Sequence, residues 1–282
     1  MDGKKLAEKI GDELRVAMAT LARPPRLAIV LVGDDAPSKK FVERKRAFGE
    51  AIGVTVQVHE FSADITEEAL AEKVAALAAH QENDGLIIQL PLPPRINAQR
   101  ILDLVPKEKD ADVLSAASTQ DFAEGKSDIL PPVVGAVARV FEEYNVAVRG
   151  KRAAVVGRGR LVGEPVALWL AREGATVSVI TRQTAGPEEI LRAADIIVSG
   201  VGKPGMIKAD MIKEGAVVID AGTASAGGDL RGDVDLESVA PKASLVTPTP
   251  GGVGPLTVAM VFKNLIDLIT KDQNFIGDQI SP

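Results

Sequence analysis

The side chain best suited to proton transfer in this sequence is that of Lys45, with the amide of Gln89 and the carboxylate of Asp112 as expected neighbours. Ser38, Phe41 and Lys45 recur at spacings of three and four, which places them on one face of a predicted helix. Gln89 ends a predicted strand, and Asp112 lies in the loop before the predicted domain junction. A lysine amine beside an amide and a carboxylate can donate or accept a proton. The spacing alone also fits a solvated lysine on a helix surface.

A second group of residues with chemical meaning is formed by Gly157, Gly159 and Gly163, between an apolar run and a helical pattern. Glycine adopts the positive φ angles of a tight turn, and the first N–H groups and the dipole of the following helix attract phosphate. The third glycine comes one residue later than in the usual G-x-G-x-x-G pattern, and an ordinary strand–helix turn also fits. The apolar stretch 174–180 predicts the next strand, so the segment is typical of a βαβ unit that binds a dinucleotide.

The end of that next strand indicates which dinucleotide binds. A site for NAD places Asp or Glu there to hold the ribose 2′-hydroxyl, whereas the 2′-phosphate of NADP needs positive charge. Here Thr181 and Arg182 follow the strand, the first acid is Glu188, and Arg158 and Arg160 lie in the glycine turn. The sequence therefore predicts NADP as the cofactor.

Composition narrows the class of protein. The 282 residues are 46% hydrophobic and 26% charged, which is enough for a full core and predicts two domains. The net charge of −6 argues against nucleic acid as a partner, because phosphate backbones bind basic surfaces. The absence of cysteine excludes disulfides, thiolate metal sites and cysteine nucleophiles, and fits a cytoplasmic protein. We expect the two histidines, His59 and His80, to be structural.

The N-terminus lacks the apolar segment of an export signal, and no apolar run of about 18 residues is evident. We therefore expect neither export nor contact with a membrane.

Predicted helices and strands alternate along the chain, which indicates parallel sheets with right-handed crossovers. We place the domain junction in the polar, irregular stretch 106–128. The fold class is therefore α/β with two domains: residues 1–120, completed by a C-terminal helix within 256–282, and a Rossmann-like domain of 121–255. The predicted helices span 3–22, 38–52, 67–80, 98–105, 133–146 and 256–271, and the predicted strands span 26–33, 54–60, 85–90, 153–156, 174–180, 195–199, 216–220 and 244–246.

Several further blocks, taken in order along nearly the whole chain, resemble the bifunctional methylenetetrahydrofolate dehydrogenase/methenyltetrahydrofolate cyclohydrolase family. The blocks Gln89-Leu-Pro-Leu-Pro93 and Thr247-Pro-Thr-Pro-Gly-Gly-Val-Gly-Pro-Leu-Thr257 are highly specific in combination. The other matching blocks are Val32-Gly33 with Ser38 and Lys45, Gly85-Leu-Ile-Ile, Lys109-Asp-Ala-Asp112, Gly157-Arg158, Val162-Gly-Glu-Pro165, Val218-Ile-Asp-Ala-Gly222 and Gly232-Asp-Val-Asp235.

The resemblance implies an NADP-dependent enzyme that oxidises 5,10-methylenetetrahydrofolate and hydrolyses the methenyl product to 10-formyltetrahydrofolate. It implies that Lys45 is the catalytic acid or base, that Gln89 tunes it, and that Asp112 binds the pterin. It also implies a cytoplasmic homodimer that takes a folate substrate and no metal, with the C-terminal helix returning to the folate-binding domain. The implied folate-binding residues are Ser38, Phe41, Leu90, Pro91, Gly252, Gly254 and Pro255, and the implied NADP-binding residues are Gly157, Arg158, Gly159, Val162, Gly163, Thr181, Arg182, Gly202 and Thr223.

Five sites depart from the family's pattern. Phe41 replaces a tyrosine, so the ring can stack on the aminobenzoyl group but lacks the hydroxyl. Val113 replaces a glycine and removes a flexible joint, and Pro131–Val134 replaces Pro-Cys-Thr-Pro near the expected nicotinamide. Gly159 replaces a serine. Thr181–Arg182 replaces His-Ser, where the arginine supplies a charge.

These departures leave three alternatives to the bifunctional enzyme. One is a family member with a single activity, and another is a folate- or nucleotide-binding relative without turnover. The third, an NADP dehydrogenase for another small substrate, leaves the folate-side blocks unexplained.

Overall fold

The computed structural model describes the backbone of residues 1–226 and 229–280, and the side chains of these residues outside 225–229 and 272–280. It divides into two units. The N-terminal unit comprises Glu8–Pro132 and the C-terminal helix from Val258, and the central unit comprises Met1–Ala7 and Val133–Thr257. The predicted junction within 106–128 precedes this division. Gly227 and Gly228 of the glycine-rich stretch, and the last two residues of the predicted segment 256–282, lie outside the described residues.

Three parallel strands form the sheet of the N-terminal unit, in the order β2-β1-β3. β1 is Arg26–Val32, β2 is Thr55–Phe61 and β3 is Gly85–Ile88. β1 and β3 are apolar and almost wholly buried, as expected of parallel strands covered on both faces. The strand order reverses between β1 and β3, and such reversal points are where α/β sheets bind ligands beyond their carboxyl ends.

The helix that follows β1 carries the side chains of interest. This helix begins at Ala36 rather than at residue 38, because Asp35 caps it by accepting a hydrogen bond from the Ser38 N–H. Pro37 stands in its first turn, where a missing N–H costs nothing, and Gly53 ends it at a φ of 93°. The helices of this unit are α1 Gly3–Met18 (shared with the central unit), α2 Ala36–Ile52, α3 Glu67–Ala79, α4 Ala98–Leu102 and α5 Ala116–Ala123.

The prediction that 106–128 is irregular is wrong, because α5 lies within it. Ser115 caps this helix by accepting a hydrogen bond from the Ser118 N–H, and Phe122 anchors it in the core with 1% of its surface exposed. Its eight residues contain one large apolar side chain, which is too few for a periodic pattern.

The last helix packs into the N-terminal unit, as predicted. Its Phe262 ring lies 5.5 Å from that of Phe48, and Asn264 Nδ2 donates hydrogen bonds to the carbonyls of Ala111 and Leu130. This helix spans Val253–Ile280, which is longer than the predicted 256–271.

Its segment Val253–Lys271 is apolar on average but is interrupted by Lys263 and Asp267, so it is not a continuous apolar run of about 18 residues. Among the described residues this is the one helix with the length and composition of a membrane-crossing segment, and its mean hydropathy is 1.4. Its apolar window is 56% buried inside the structure, as in the core helix of a globular protein.

The central unit contains a five-stranded parallel sheet. Its strands are β4 Arg152–Val156, β5 Thr176–Ile180, β6 Ile196–Ser199, β7 Val217–Asp220 and β10 Leu245–Val246, in the order β10-β7-β6-β4-β5. The order reverses between β4 and β6, so the loops after these two strands border the expected ligand crevice. The antiparallel pair β8 Ala224–Ala226 and β9 Asp229–Arg231 occupies the glycine-rich stretch 222–232. The remaining helices are α6 Pro132–Glu143, α7 Gly163–Arg172, α8 Pro187–Ala193, α9 Leu236–Val239 and the last helix, α10.

Candidate active site

The structure brings Lys45, Gln89 and Asp112 together in the N-terminal unit. Lys45 Nζ donates a hydrogen bond of 3.2 Å to Gln89 Oε1 and stands 3.6 Å from the Asp112 carboxylate. The side chains of Lys45 and Asp112 are 11% and 17% exposed, so the pair is largely shielded from water. Gln89 follows β3 and Lys45 lies on α2 after β1, so the reversal point between β1 and β3 positions both side chains.

The Gln89 amide is itself oriented. Its Nε2 donates a hydrogen bond of 2.8 Å to the Leu90 carbonyl, which leaves Oε1 directed at Lys45 Nζ. An amide fixed in this way acts as an acceptor for the lysine and cannot present its NH2 group instead. The geometry therefore holds Nζ at one place.

Asp112 belongs to a loop that is held from several sides. The Asp110 carboxylate accepts hydrogen bonds from the Leu114 and Ser115 N–H groups, and Asn264 holds the Ala111 carbonyl. Burial raises the pKa of Asp112, while the positive charge of Lys45 acts in the opposite direction. The pKa of this carboxyl group therefore lies above that of an exposed aspartate.

Val113 adopts a φ of 56° directly after Asp112. A β-branched residue is rare in this left-handed region, and such strain costs on the order of 1–3 kcal/mol. The position is one where the family resemblance implies glycine, and the valine side chain is buried, with 4% exposed. The valine keeps the conformation suited to glycine and replaces a flexible backbone with a strained one.

The other residues implied in folate binding are divided between the two units. Ser38 is buried, and its hydroxyl donates a hydrogen bond of 2.6 Å to Asp35. The Phe41 ring is half-buried, with the Arg44 guanidinium 5.9 Å from its centre. Leu90 is half-buried and Pro91 is exposed, both beside Gln89.

Three further implied residues lie in the central unit, at the start of α10. They are Gly252, Gly254 and Pro255. A Cβ atom at Gly252 would lie 2.3 Å from the Pro248 carbonyl, so glycine is required there.

The glycine turn after β4 forms a tight cradle. Gly157 has a φ of 98°, and a Cβ atom at Gly163 would lie 2.2 Å from the Gly157 carbonyl oxygen. The late third glycine therefore still makes the close contact between turn and helix that dinucleotide folds need. Arg158 and Gly159 are exposed in this turn, and Val162 is the residue before α7. This cradle fits the pyrophosphate of a dinucleotide at the α7 N-terminus.

The residues implied around the rest of the dinucleotide lie on the neighbouring loops. Thr181 and Arg182 are exposed after β5, and the Thr181 N–H bonds the Thr184 hydroxyl, which shapes the turn. Gly202 has a φ of 69° in the loop after β6, and a Cβ atom there would lie 3.4 Å from the carbonyl of Thr223, an exposed residue. Arg182 is thus placed at the end of β5, where a 2′-phosphate binds in such folds.

Some residues that shape these sites were not identified from sequence. Asp35 holds Ser38, and Asn264 holds Ala111, the neighbour of Asp112. Asp110, which the sequence block Lys109-Asp-Ala-Asp112 already contains, holds the loop of Asp112. A lone asparagine within an apolar helix is the one sequence signal among them.

Comparison with known proteins shows the family to which this chain is related. The description "Tetrahydrofolate dehydrogenase/cyclohydrolase, catalytic domain" matches residues 1–112, and "Tetrahydrofolate dehydrogenase/cyclohydrolase, NAD(P)-binding domain" matches residues 131–273. The chain belongs to the tetrahydrofolate dehydrogenase/cyclohydrolase family. The resemblance drawn from the sequence blocks and the two-domain α/β fold are both confirmed.

Relatives of this family align over nearly the whole chain. The "Bifunctional protein FolD" of Lactobacillus delbrueckii subsp. bulgaricus is 39% identical over 271 residues, which are 95% of this chain and 96% of the relative. The crystal structure of FolD from Campylobacter jejuni has a TM-score of 0.93 at 33% identity and covers 96% of this chain and 98% of its own. The enzyme of Trypanosoma brucei, "complexed with NADP cofactor and inhibitor", has a TM-score of 0.92 at 35% identity, with coverages of 96% and 97%.

Proposed function

We propose that this protein oxidises 5,10-methylenetetrahydrofolate with NADP and hydrolyses the resulting 5,10-methenyltetrahydrofolate to 10-formyltetrahydrofolate. The observation that carries the proposal is the buried arrangement of Lys45, Gln89 and Asp112 in a chain of the tetrahydrofolate dehydrogenase/cyclohydrolase family. The glycine cradle of the central unit supplies the binding site for NADP, the second substrate of the oxidation.

In the hydrolytic step, Lys45 Nζ is the group placed to move protons. Water adds to the cationic methenyl carbon and loses a proton as the new C–O bond forms. Nζ, as an ammonium group, gives a proton to the ring nitrogen that leaves as the C–N bond breaks, and it takes up the hydroxyl proton as the formyl C=O bond forms, so that one proton is released overall. Gln89 Oε1 holds Nζ in position, and the shielded site limits competition from bulk water. The methenyl carbon is already electrophilic, so we expect no metal to be needed.

In the oxidative step, bound NADP supplies the hydride acceptor. The residues of the central unit bind and orient it: Gly157, Gly159 and Gly163 leave room for the pyrophosphate, and Arg158 and Arg182 attract the 2′-phosphate. We assign the rest of the dinucleotide to Val162, Thr181, Gly202 and Thr223.

Folate recognition is assigned to the N-terminal unit and the start of α10. Asp112 accepts hydrogen bonds from the pterin, and its carboxyl group, with a raised pKa, also interacts with Lys45. Phe41 stacks on the aminobenzoyl ring. The remaining contacts are assigned to Ser38, Leu90, Pro91, Gly252, Gly254 and Pro255.

We further propose a cytoplasmic homodimer that binds neither nucleic acid nor membrane. The net charge of −6 and the absence of cysteine support this assignment. In the part of the chain that the structure describes, the one apolar helix with membrane-crossing length has more than half of its apolar window buried in the fold. Size-exclusion chromatography with light scattering tests the dimer.

One experiment separates the bifunctional enzyme from its alternatives. Purified protein is given methylenetetrahydrofolate and NADP, and absorbance follows both NADPH formation and methenyl decay. We expect both signals, and methenyltetrahydrofolate alone should decay faster than in buffer. NADPH without accelerated methenyl decay identifies a dehydrogenase only. Binding of both ligands without either signal identifies a relative without turnover and rejects the proposal.

A further inference from the structure

Two buried aspartates lie at the carboxyl edge of the central sheet, apart from the residues assigned above. Asp220 ends β7 with 2% of its surface exposed, and Asp233 follows β9 with none exposed. Burying a carboxylate costs free energy unless it is well hydrogen-bonded, and apolar residues often fill such positions at lower cost. Two such groups at the edge where dinucleotides bind therefore call for an explanation beyond core stability.

Among the described residues, the hydrogen bonds that the Asp233 carboxylate accepts come from the end of β6 and the loop after it. Its Oδ2 accepts hydrogen bonds from the Ser199 hydroxyl at 2.7 Å and from the Val201 N–H at 2.8 Å, and its Oδ1 accepts one from the Lys203 N–H at 2.5 Å. Ser199 ends β6, so these donors belong to the loop that borders the ligand crevice. Two of the three are backbone groups. The carboxylate therefore acts on the shape of the loop.

Asp220 holds Asp233 in turn. Its Oδ1 accepts hydrogen bonds from the N–H groups of Asp233 and Gly222, and its Oδ2 accepts one from the Val234 N–H. A Cβ atom at Gly222 would lie 2.2 Å from the Asp233 carboxyl carbon, so only glycine fits beside it. The two carboxylates thus connect the end of β7 to the loop after β6.

The same loop packs against the glycine cradle. A Cβ atom at Gly157 would lie 2.6 Å from Val201, and one at Gly200 would lie 2.5 Å from Val162. Displacement of this loop would therefore displace the cradle. Val201 and Leu161 also expose 38% and 50% of their surfaces on the two loops that border the crevice. Exposed apolar side chains on both sides of a crevice suit a flat aromatic ring.

We propose that Asp233 is a positioning residue that fixes the loop Ser199–Lys203 for NADP binding and hydride transfer. This role rests on the proposed dehydrogenase function. Asp233 acts through the loop and the cradle, and Asp220 fixes its backbone.

The test compares Asp233→Asn and Ser199→Ala with the parent protein. Asparagine keeps the shape of the side chain but directs an NH2 group at N–H donors, and Ser199→Ala removes one bond to Asp233. Asp195→Asn is the matched control, because Asp195 bonds the Arg152 N–H and pairs with Lys213 at the opposite end of the same sheet. Calorimetric titration gives the Kd for NADP, and urea unfolding gives stability.

We expect Asp233→Asn to raise the Kd for NADP on the order of tenfold and Ser199→Ala to raise it about threefold. Dehydrogenase kcat/KM should fall in these two variants as the Kd for NADP rises. Methenyl hydrolysis without NADP should persist in both, because Lys45 lies in the N-terminal unit. Asp195→Asn should lower stability and leave the Kd unchanged. If Asp233→Asn does not fold, the Kd of Ser199→Ala for NADP decides whether the positioning role holds.

Parent-like NADP binding in the folded variants overturns the positioning role, and so does an equal rise in Kd for Asp195→Asn. Equal proportional losses of hydrolysis and dehydrogenation in the variants also overturn it. A parent protein that does not bind NADP rejects the proposed function itself, which is a different result.

Discussion

Replacing Lys45 with methionine separates the role of this residue in proton transfer from its role in packing and stability. Methionine keeps the length and apolar stem of the side chain at a position that is 11% exposed. It removes the Nζ that bonds Gln89 and pairs with Asp112. We expect methenyl hydrolysis to fall by about 10²–10⁴-fold, which is the usual contribution of one acid–base group.

The same variant loses a cation beside a buried carboxylate. Breaking such a pair from one side costs about 3–5 kcal/mol when the remaining charge is fully buried. Asp112 is 17% exposed, and its pKa is already raised by burial, so proton uptake relieves part of the cost. We therefore expect a loss of about 2 kcal/mol near neutral pH. Without Lys45 the pKa of Asp112 rises further, so the folded variant binds that proton more tightly than the unfolded chain. The free energy of unfolding should then increase as the pH falls.

The assay follows methenyl absorbance at constant pH, together with urea unfolding at about pH 7.5 and about pH 5.5. Lys39→Met is the matched control, because Lys39 is an exposed residue of the same helix whose partner Asp34 is also exposed. It should change neither hydrolysis nor stability appreciably. A double variant, Lys45→Met with Asp112→Asn, should regain stability without regaining hydrolysis. Hydrolysis by Lys45→Met at the parent rate would refute the assignment of Lys45.

Three further predictions concern other residues. Arg182→Glu should weaken NADP binding and change NAD binding much less, because the guanidinium is placed for the 2′-phosphate; equal losses in cofactor titrations would reject that role. Phe41→Ala should weaken folate binding by roughly 1–3 kcal/mol through lost stacking, whereas Phe41→Tyr should mainly shift the pH profile of hydrolysis; unchanged folate affinity of the alanine variant would show that the ring does not face the substrate. Burial raises the pKa of Asp220 from an ordinary 3.8 to about 6, so the folded protein binds the Asp220 proton more tightly than the unfolded chain does. The free energy of unfolding should therefore fall by about 3 kcal/mol as the pH rises from 3.8 to about 6. Asp220→Asn should remove that part of the slope, and a urea series with identical slopes in both proteins would contradict it.

The sequence alone predicts most of the strands and, within the candidate site, the proximity of Lys45 and Gln89. Buried parallel strands such as β1 and β3 are short apolar runs bounded by breakers, so they stand out without any tertiary information. Their carboxyl ends meet at one edge of the sheet, which is why Lys45 and Gln89 were expected near each other. The structure places their Nζ and Oε1 atoms within hydrogen-bonding distance.

What the sequence could not provide depends on contacts between distant residues. The position of Asp112 relies on Asn264, which is remote in sequence, and on the left-handed backbone of Val113. The motif Gly232-Asp-Val-Asp235 has the composition of an exposed turn, yet Asp233 is fully buried. No local pattern shows that a carboxylate will be matched by N–H groups from a separate loop. The short helix α5 was missed because tertiary burial of Phe122, rather than periodicity, holds it in place.

The discontinuity of the N-terminal unit has a consequence for protein synthesis. Its core requires Phe262 against Phe48 and Leu265 beside Gly85, and both come from the last helix of the chain. The central unit, by contrast, draws nearly all of its residues from the continuous stretch Val133–Thr257. Domains generally fold as units while the chain emerges from the ribosome. We therefore expect the nucleotide-binding unit to fold before the unit that precedes it in sequence. Until the final helix is released, the nascent N-terminal unit exposes the surface that Phe262 and Leu265 later cover, and it is during this interval that chaperones would bind it.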